Sequence, residues 1–153
     1  MVSAVLLKGK SGNALMWNLS ADVGVGKPNH ADDVEFVRFG YFLMKTNPTS
    51  QPFLTQQERS ALAKLRVSGG FGDDLALCIR EHEVSRGGTQ DGFVSPMKNV
   101  QVTQGSYDPK HRWIVHVLNV NMIQMTSTFP RIDLHELSGP SITESVAKIC
   151  NFK

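Results

Sequence analysis

Cysteine is nearly missing from the 153 residues: Cys78 and Cys150 are the only two. Two thiols so far apart make no disulfide framework and no Cys-x-x-Cys metal pair. One bridge between them is conceivable. Against it, Cys78 sits among apolar residues at helical spacing, where a thiol packs as a small hydrophobe. Long apolar runs are missing as well. No stretch approaches the roughly 20 residues of a membrane span. The apolar run in Met1-Val-Ser-Ala-Val-Leu-Leu7 is too short for a secretory leader, and its lysines, Lys8 and Lys10, follow it instead of preceding it. The expectation is therefore cytoplasmic synthesis without a signal peptide. Action in the periplasm would then require a signal-independent export route. Charge of one sign is also scarce. Sixteen Lys and Arg face fourteen Asp and Glu, a net charge of +2, and the basic residues are interleaved with acids. That balance speaks against a nucleic-acid or anionic-membrane partner. Internal repeats and low-complexity blocks are missing too.

What is present is an ordinary globular composition, 41% hydrophobic and 20% charged, in a chain long enough to bury a core without staples. Residues 1–20 read as a loose N-terminal arm up to residue 12, followed by a short strand in Ala14-Leu-Met-Trp-Asn-Leu19. Residues 21–99 carry three helical patterns. Asn29 is placed to cap the first, with Asp32 and Asp33 in its first turn, and Val34, Val37, Tyr41 and Met44 form its apolar stripe. Thr55-Gln-Gln-Glu58 is a capping box that opens the second, and Leu62 and Leu65 supply its apolar face. The third spans about 73–84, with Leu75, Cys78, Ile79 and His82 at i, i+3, i+4 and i+7, and Gly87-Gly88 as its stop. Residues 100–153 read as an extension. It comprises a loop, a strand in the β-branched Trp113-Ile-Val-His-Val-Leu-Asn-Val120, a connector, and a last helix opened by the capping box Ser141-Ile-Thr-Glu144. The predicted fold is mainly α: a three-helix bundle within about 29–86, with a strand and helix packed on it.

Little in the sequence points to catalysis. The histidines His30, His82, His111, His116 and His135 show no zinc spacing. Cys78 and His82 lie one helical turn apart, but on the stripe that should be buried, not at an electropositive helix start where a nucleophilic thiolate is made. The Gly24-x-Gly26 and Gly69-Gly70-x-Gly72 stretches lack the rest of a phosphate-binding motif, and turn chemistry explains them. Asp32-Asp33 and Asp73-Asp74 fall in first helical turns, where capping accounts for them. The expectation is a protein that is not an enzyme and uses no cofactor and no metal.

Four pieces in order carry a resemblance: Val23-Gly-Val-Gly-Lys-Pro-Asn-His-Ala-Asp-Asp-Val-Glu-Phe-Val37, Ser68-Gly-Gly-Phe-Gly72, Leu75-Ala-Leu-Cys-Ile-Arg-Glu-His-Glu83 and Gln90-Asp-Gly-Phe-Val-Ser-Pro96. Segment 22–97 resembles the peptidoglycan-binding-like domain family. Its opening is similar to a variant found in bacterial proteins associated with type VI secretion. The chain departs from that pattern at Ser68-Gly69, at Arg38 and at His82-Glu83. The resemblance implies a three-helix module that binds a peptidoglycan fragment at the cell envelope. The other implied role is that of an adaptor, cargo-associated or immunity-type protein that uses the scaffold to bind a protein partner. On that reading the ligand-binding residues are Arg38, Arg86, Asn29 and Gln90. Arg38, standing where the family carries glutamine, is expected at the surface to meet a carboxylate with its planar fork of donors, or else paired with Asp33 or Glu35. Arg80, Arg86 and Lys98 could share that side, and Trp17, Tyr107 and Trp113 are candidates for an exposed docking patch.

Overall fold

The structure, a computed structural model, describes residues 2–9, 12–66, 68–87, 89–97 and 114–124. Among these the chain is mainly helical. Its elements are β1 (Ser3–Gly9), β2 (Gly12–Asn18), β3 (Val23–Gly24), α1 (Ala31–Thr46), a single 3-10 turn at Gln51–Phe53, α2 (Gln56–Lys64), α3 (Asp73–Arg86), β4 (Phe93–Val94) and α4 (Ile114–Gln124). The expected loop at 100–111, the connector, the last helix and Cys150 lie outside the described residues.

All three expected helices form. Thr55 closes both arms of its capping box, its side chain accepting from the Glu58 N–H while Glu58 accepts from the Thr55 N–H. Gly87 ends α3 in the left-handed conformation at φ +66°. The first helix starts differently from expectation. Its N-cap is His30, and Asn29 stands one residue before it at φ +50°. Asn29 instead organises the preceding turn. Its Oδ1 accepts from the Gly24 N–H at 2.9 Å, and its Nδ2 donates to the carbonyls of Gly24 and Lys27 at 2.8 and 2.9 Å. Asparagine suits the site because its short amide tolerates the left-handed region and bonds to nearby backbone.

Two expectations about secondary structure are overturned. Within the stretch expected to be a loose arm, Ser3–Gly9 is a strand that pairs antiparallel with Gly12–Asn18 as a hairpin. The expected strand at 113–120 is the start of α4, a helix. Ile114, Val115, Leu118, Asn119 and Asn121 are all buried, at spacings that repeat every three to four residues. The β-branched content suggested a strand, but propensity yields to packing against α1, where Leu118 seats on Gly40. A Cβ on Gly40 would lie 2.8 Å from the Leu118 Cβ, so the missing side chain lets the two helices approach.

The core joins the four helices and the β3–β4 pair. Val34, Phe36, Val37 and Tyr41 of α1 meet Leu75 and Ile79 of α3, Ala61 and Leu62 of α2, Val115 and Leu118 of α4, and Val23 and Val94 of the small β3–β4 pair. Trp17 belongs to it as well, at 5% exposure. It is therefore no exposed docking aromatic. Tyr107, Trp113 and Lys98 lie outside the described residues.

Candidate functional site

Of the expected binding residues, Arg38 is not at the surface. Arg38 is fully buried, with 0% of its surface exposed. Its Nη1 donates to the Arg66 carbonyl at 2.9 Å and to Asp74 Oδ2 at 2.6 Å, while its Nη2 donates to the Gly70 carbonyl at 2.8 Å and to Asp74 Oδ1 at 3.3 Å. The partner is Asp74, not Asp33 or Glu35. The fork geometry foreseen for a ligand is turned inward, onto a carboxylate of the chain itself. Asp74 also accepts from the Arg66 N–H at 2.9 Å. Burial pushes the Asp74 carboxyl up, but the Arg38 guanidinium and the Arg66 N–H outweigh it and hold it well below the usual carboxylate range. The first-turn aspartate is thus more than a helix-dipole residue. The same holds for Asp33, which is buried and accepts from the Ser20 N–H, the Ser20 hydroxyl and the Ala21 N–H. Asn29 is committed to its turn, Arg86 is half-buried, and Gln90 is exposed on the loop after α3.

Several other buried polar groups pair within the fold, whereas Glu35 Oε2 and Arg38 Nε are buried without a hydrogen-bond partner among the described residues. The Tyr41 hydroxyl and His82 Nδ1 are 3.0 Å apart, with the rings edge to face. Burial, with a smaller contribution from Arg86, drives the His82 pKa down to about 3, so the ring is neutral at ordinary pH. Burial also pushes the Cys78 thiol up to about 12, and nearby Asp74 adds to the shift. A neutral imidazole and a protonated, buried thiol are not a nucleophile pair. Glu58, buried beside α3, accepts from the Ser85 hydroxyl at 2.7 Å. Among the described residues no group of three or more His, Cys, Asp or Glu is placed to hold a metal ion, and no helix is long and apolar enough to cross a membrane.

Among the described residues, α2 and α3 border an open groove of about 380 Å³, lined by Gln56, Gln57, Ser60, Ala61, Leu77 and Glu81. Its walls follow from helix geometry. Gln56 and Ser60, Gln57 and Ala61, and Leu77 and Glu81 are each four residues apart, so each pair stacks along one face. The capping box fixes where α2 begins, and the Glu58–Ser85 bond ties α2 to α3. Amide and hydroxyl groups line the rim, and Ala61 and Leu77 supply the apolar portion. The only formal charge in the lining is the carboxylate of Glu81, which accepts from Arg80 Nη2 at 2.9 Å. A sequence reading that searches for motifs passes over this groove, because glutamine and serine on a helix face read as ordinary solvated surface. The available signal was the pairing at i and i+4 on two helices destined to pack.

Compared with known protein families, curated proteins and solved structures, the chain matches none.

Proposed function

We propose that this chain is a non-catalytic binding module of the cell wall or envelope, and that its ligand is the glycan portion of a peptidoglycan fragment. The observation that carries the reading is the lining of the α2–α3 groove. Gln56, Gln57 and Ser60 can both donate and accept hydrogen bonds, as hydroxyl- and acetamido-bearing sugars require. Ala61 and Leu77 give an apolar surface for the face of a sugar ring or for an acetamido methyl. Glu81 places a carboxylate in the groove, which disfavours the carboxylates of a stem peptide. The ordered resemblance of segment 22–97 to peptidoglycan-binding-like domains adds support. Arg38 takes no part in this site, and its place at the binding face passes to the helix residues of the groove.

The test is co-sedimentation of the purified chain with intact sacculi, beside the variants Gln57→Ala and Ser60→Ala. Both positions are exposed, so the fold survives the changes. Retention by sacculi, reduced by either substitution and competed by soluble glycan fragments, supports the reading. No retention, together with a protein partner that co-purifies at stoichiometry, would replace it with the secretion-system adaptor role.

A further inference from the structure

The lining of the α2–α3 groove is neutral except at one point. Gln56, Gln57, Ser60, Ala61 and Leu77 carry no charge, and Glu81 carries a negative one. Glu81 follows Leu77 by four residues on α3, so its carboxylate lies along the same helix face as the apolar patch. That carboxylate is largely covered, with 14% of the side chain exposed. Arg80 donates to it through Nη2 at 2.9 Å and Nε at 3.3 Å. Both bonds end on Oε1, which leaves Oε2 without a hydrogen-bond partner among the described residues. The Arg80 side chain is 68% exposed and is not part of the lining. An ion pair with one partner out in solvent contributes little and yields readily to a competing cation.

We propose that the groove selects an amino sugar, a hexosamine whose nitrogen is a free ammonium and not an acetamide. The proposal rests on the glycan reading above and narrows it to one substituent. An ammonium offers three donors and no acceptor. Glu81 Oε2 can take one of them, and the side-chain oxygens of Gln56, Gln57 and Ser60 are acceptors in the same groove. An acetamide in that place offers a single N–H and brings a carbonyl oxygen, which the Glu81 lone pairs repel. The charge decides between the two. Hydrogen bonds between charged partners are the stronger kind, and a carboxylate mostly withdrawn from water feels a cation more than a solvated one does. Ala61 and Leu77 remain available to the ring face. Arg80 competes with the ligand for Glu81, so it tunes affinity from outside the groove.

The test is an NMR titration of the full chain at about pH 6, where the sugar amine is cationic. The probes are a β-1,4-linked glucosamine tetramer and its fully N-acetylated counterpart, followed at the backbone amides of Gln57, Ser60 and Glu81. The glucosamine tetramer should bind about tenfold more tightly, the worth of one hydrogen bond to a charged group. Glu81→Gln should abolish that preference, and a preference it leaves unchanged would overturn the proposal. Arg80→Ala should increase the preference, because the carboxylate loses its competitor. Arg80 is exposed, so that variant keeps its fold. Groove shifts with both tetramers at equal affinity would overturn the proposal and leave the glycan reading standing. Groove shifts with neither would overturn both. Putrescine, a cation without a sugar, should bind far more weakly than the glucosamine tetramer. Equal binding would make the groove a site for any cation and overturn the amino-sugar assignment.

Discussion

Arg38 on α1 and Asp74 on α3 are 36 residues apart in sequence and face each other through two guanidinium–carboxylate contacts, at 2.6 and 3.3 Å. The same guanidinium binds the carbonyls of Arg66 and Gly70, so one side chain fixes α1, α3 and the loop between α2 and α3. Removing one partner of such a pair strands the other in a poorly solvated site. Arg38→Ala should therefore cost about 3–5 kcal/mol of stability in chemical denaturation. The pair also sets an acid limit. Because the folded-state Asp74 carboxyl is depressed, its contribution is complete above its ordinary value of 3.8 and is lost as pH falls through the depressed value. Asp74→Asn should accordingly flatten the acid arm of the stability curve. A melting temperature unchanged by Arg38→Ala would show that the bridge contributes nothing.

The Tyr41–His82 contact should appear as a second pH dependence. His82 binds a proton with a pKa of about 6.5 when unfolded and only near 3 when folded. Its contribution is thus present above 6.5 and is lost as pH falls from there towards 3. His82→Leu should remove the slope in that window. It should also cost about 1–3 kcal/mol at neutral pH, because the buried Tyr41 hydroxyl loses its partner. Adding Tyr41→Phe should recover part of that cost, so the two changes should be non-additive in a double-mutant cycle.

Cys78 should behave as core. Its thiol is buried and its pKa is pushed to about 12, so almost no thiolate is available at neutral pH. A colourimetric thiol reagent should label it slowly in native protein and rapidly in denaturant, most clearly in a Cys150→Ser background. Rapid native labelling would reopen the nucleophile reading.

Much of the helical fold could be read from sequence because its signals are local. The Thr55 capping box, the Gly87 stop and the Leu75–Cys78–Ile79 stripe each follow from residues within one or two turns of one another. What could not be read depends on partners distant in the chain. Arg38 looks like a surface arginine until Asp74 and the 66–70 carbonyls are brought round it. The apolar opening run looks like an arm until its hairpin partner is known. Residues 114–120 carry β-branched side chains that suit a strand, and only packing on Gly40 and Trp17 makes them helical. The groove was missed for a related reason: neither α2 nor α3 alone contains it.

The most distant such partnership yields the last prediction. Asn119 on α4 meets the backbone of Trp17 on β2, 102 residues earlier. Its Oδ1 accepts from the Trp17 N–H at 2.8 Å, and its Nδ2 donates to the Trp17 carbonyl at 2.8 Å and to the Val115 carbonyl at 2.7 Å. The side-chain amide thus mimics a neighbouring strand, satisfying both backbone groups of a buried residue where β2 has α4 beside it. Asn119→Ala would take the Asn119 amide away from the Trp17 N–H and carbonyl in a buried site. A buried polar group stripped of its partner costs about 1–3 kcal/mol. Asn119→Asp keeps the acceptor but loses the donor and adds a buried charge, so it should be no milder. The effect should be regional. Amide exchange at Trp17 and its hairpin neighbours should accelerate, while amides within α3 change by no more than the global loss of stability accounts for. Equal acceleration at every amide would mean that the hairpin opens only with the whole fold. An unchanged Trp17 amide would mean that α4 does not hold the hairpin through Asn119.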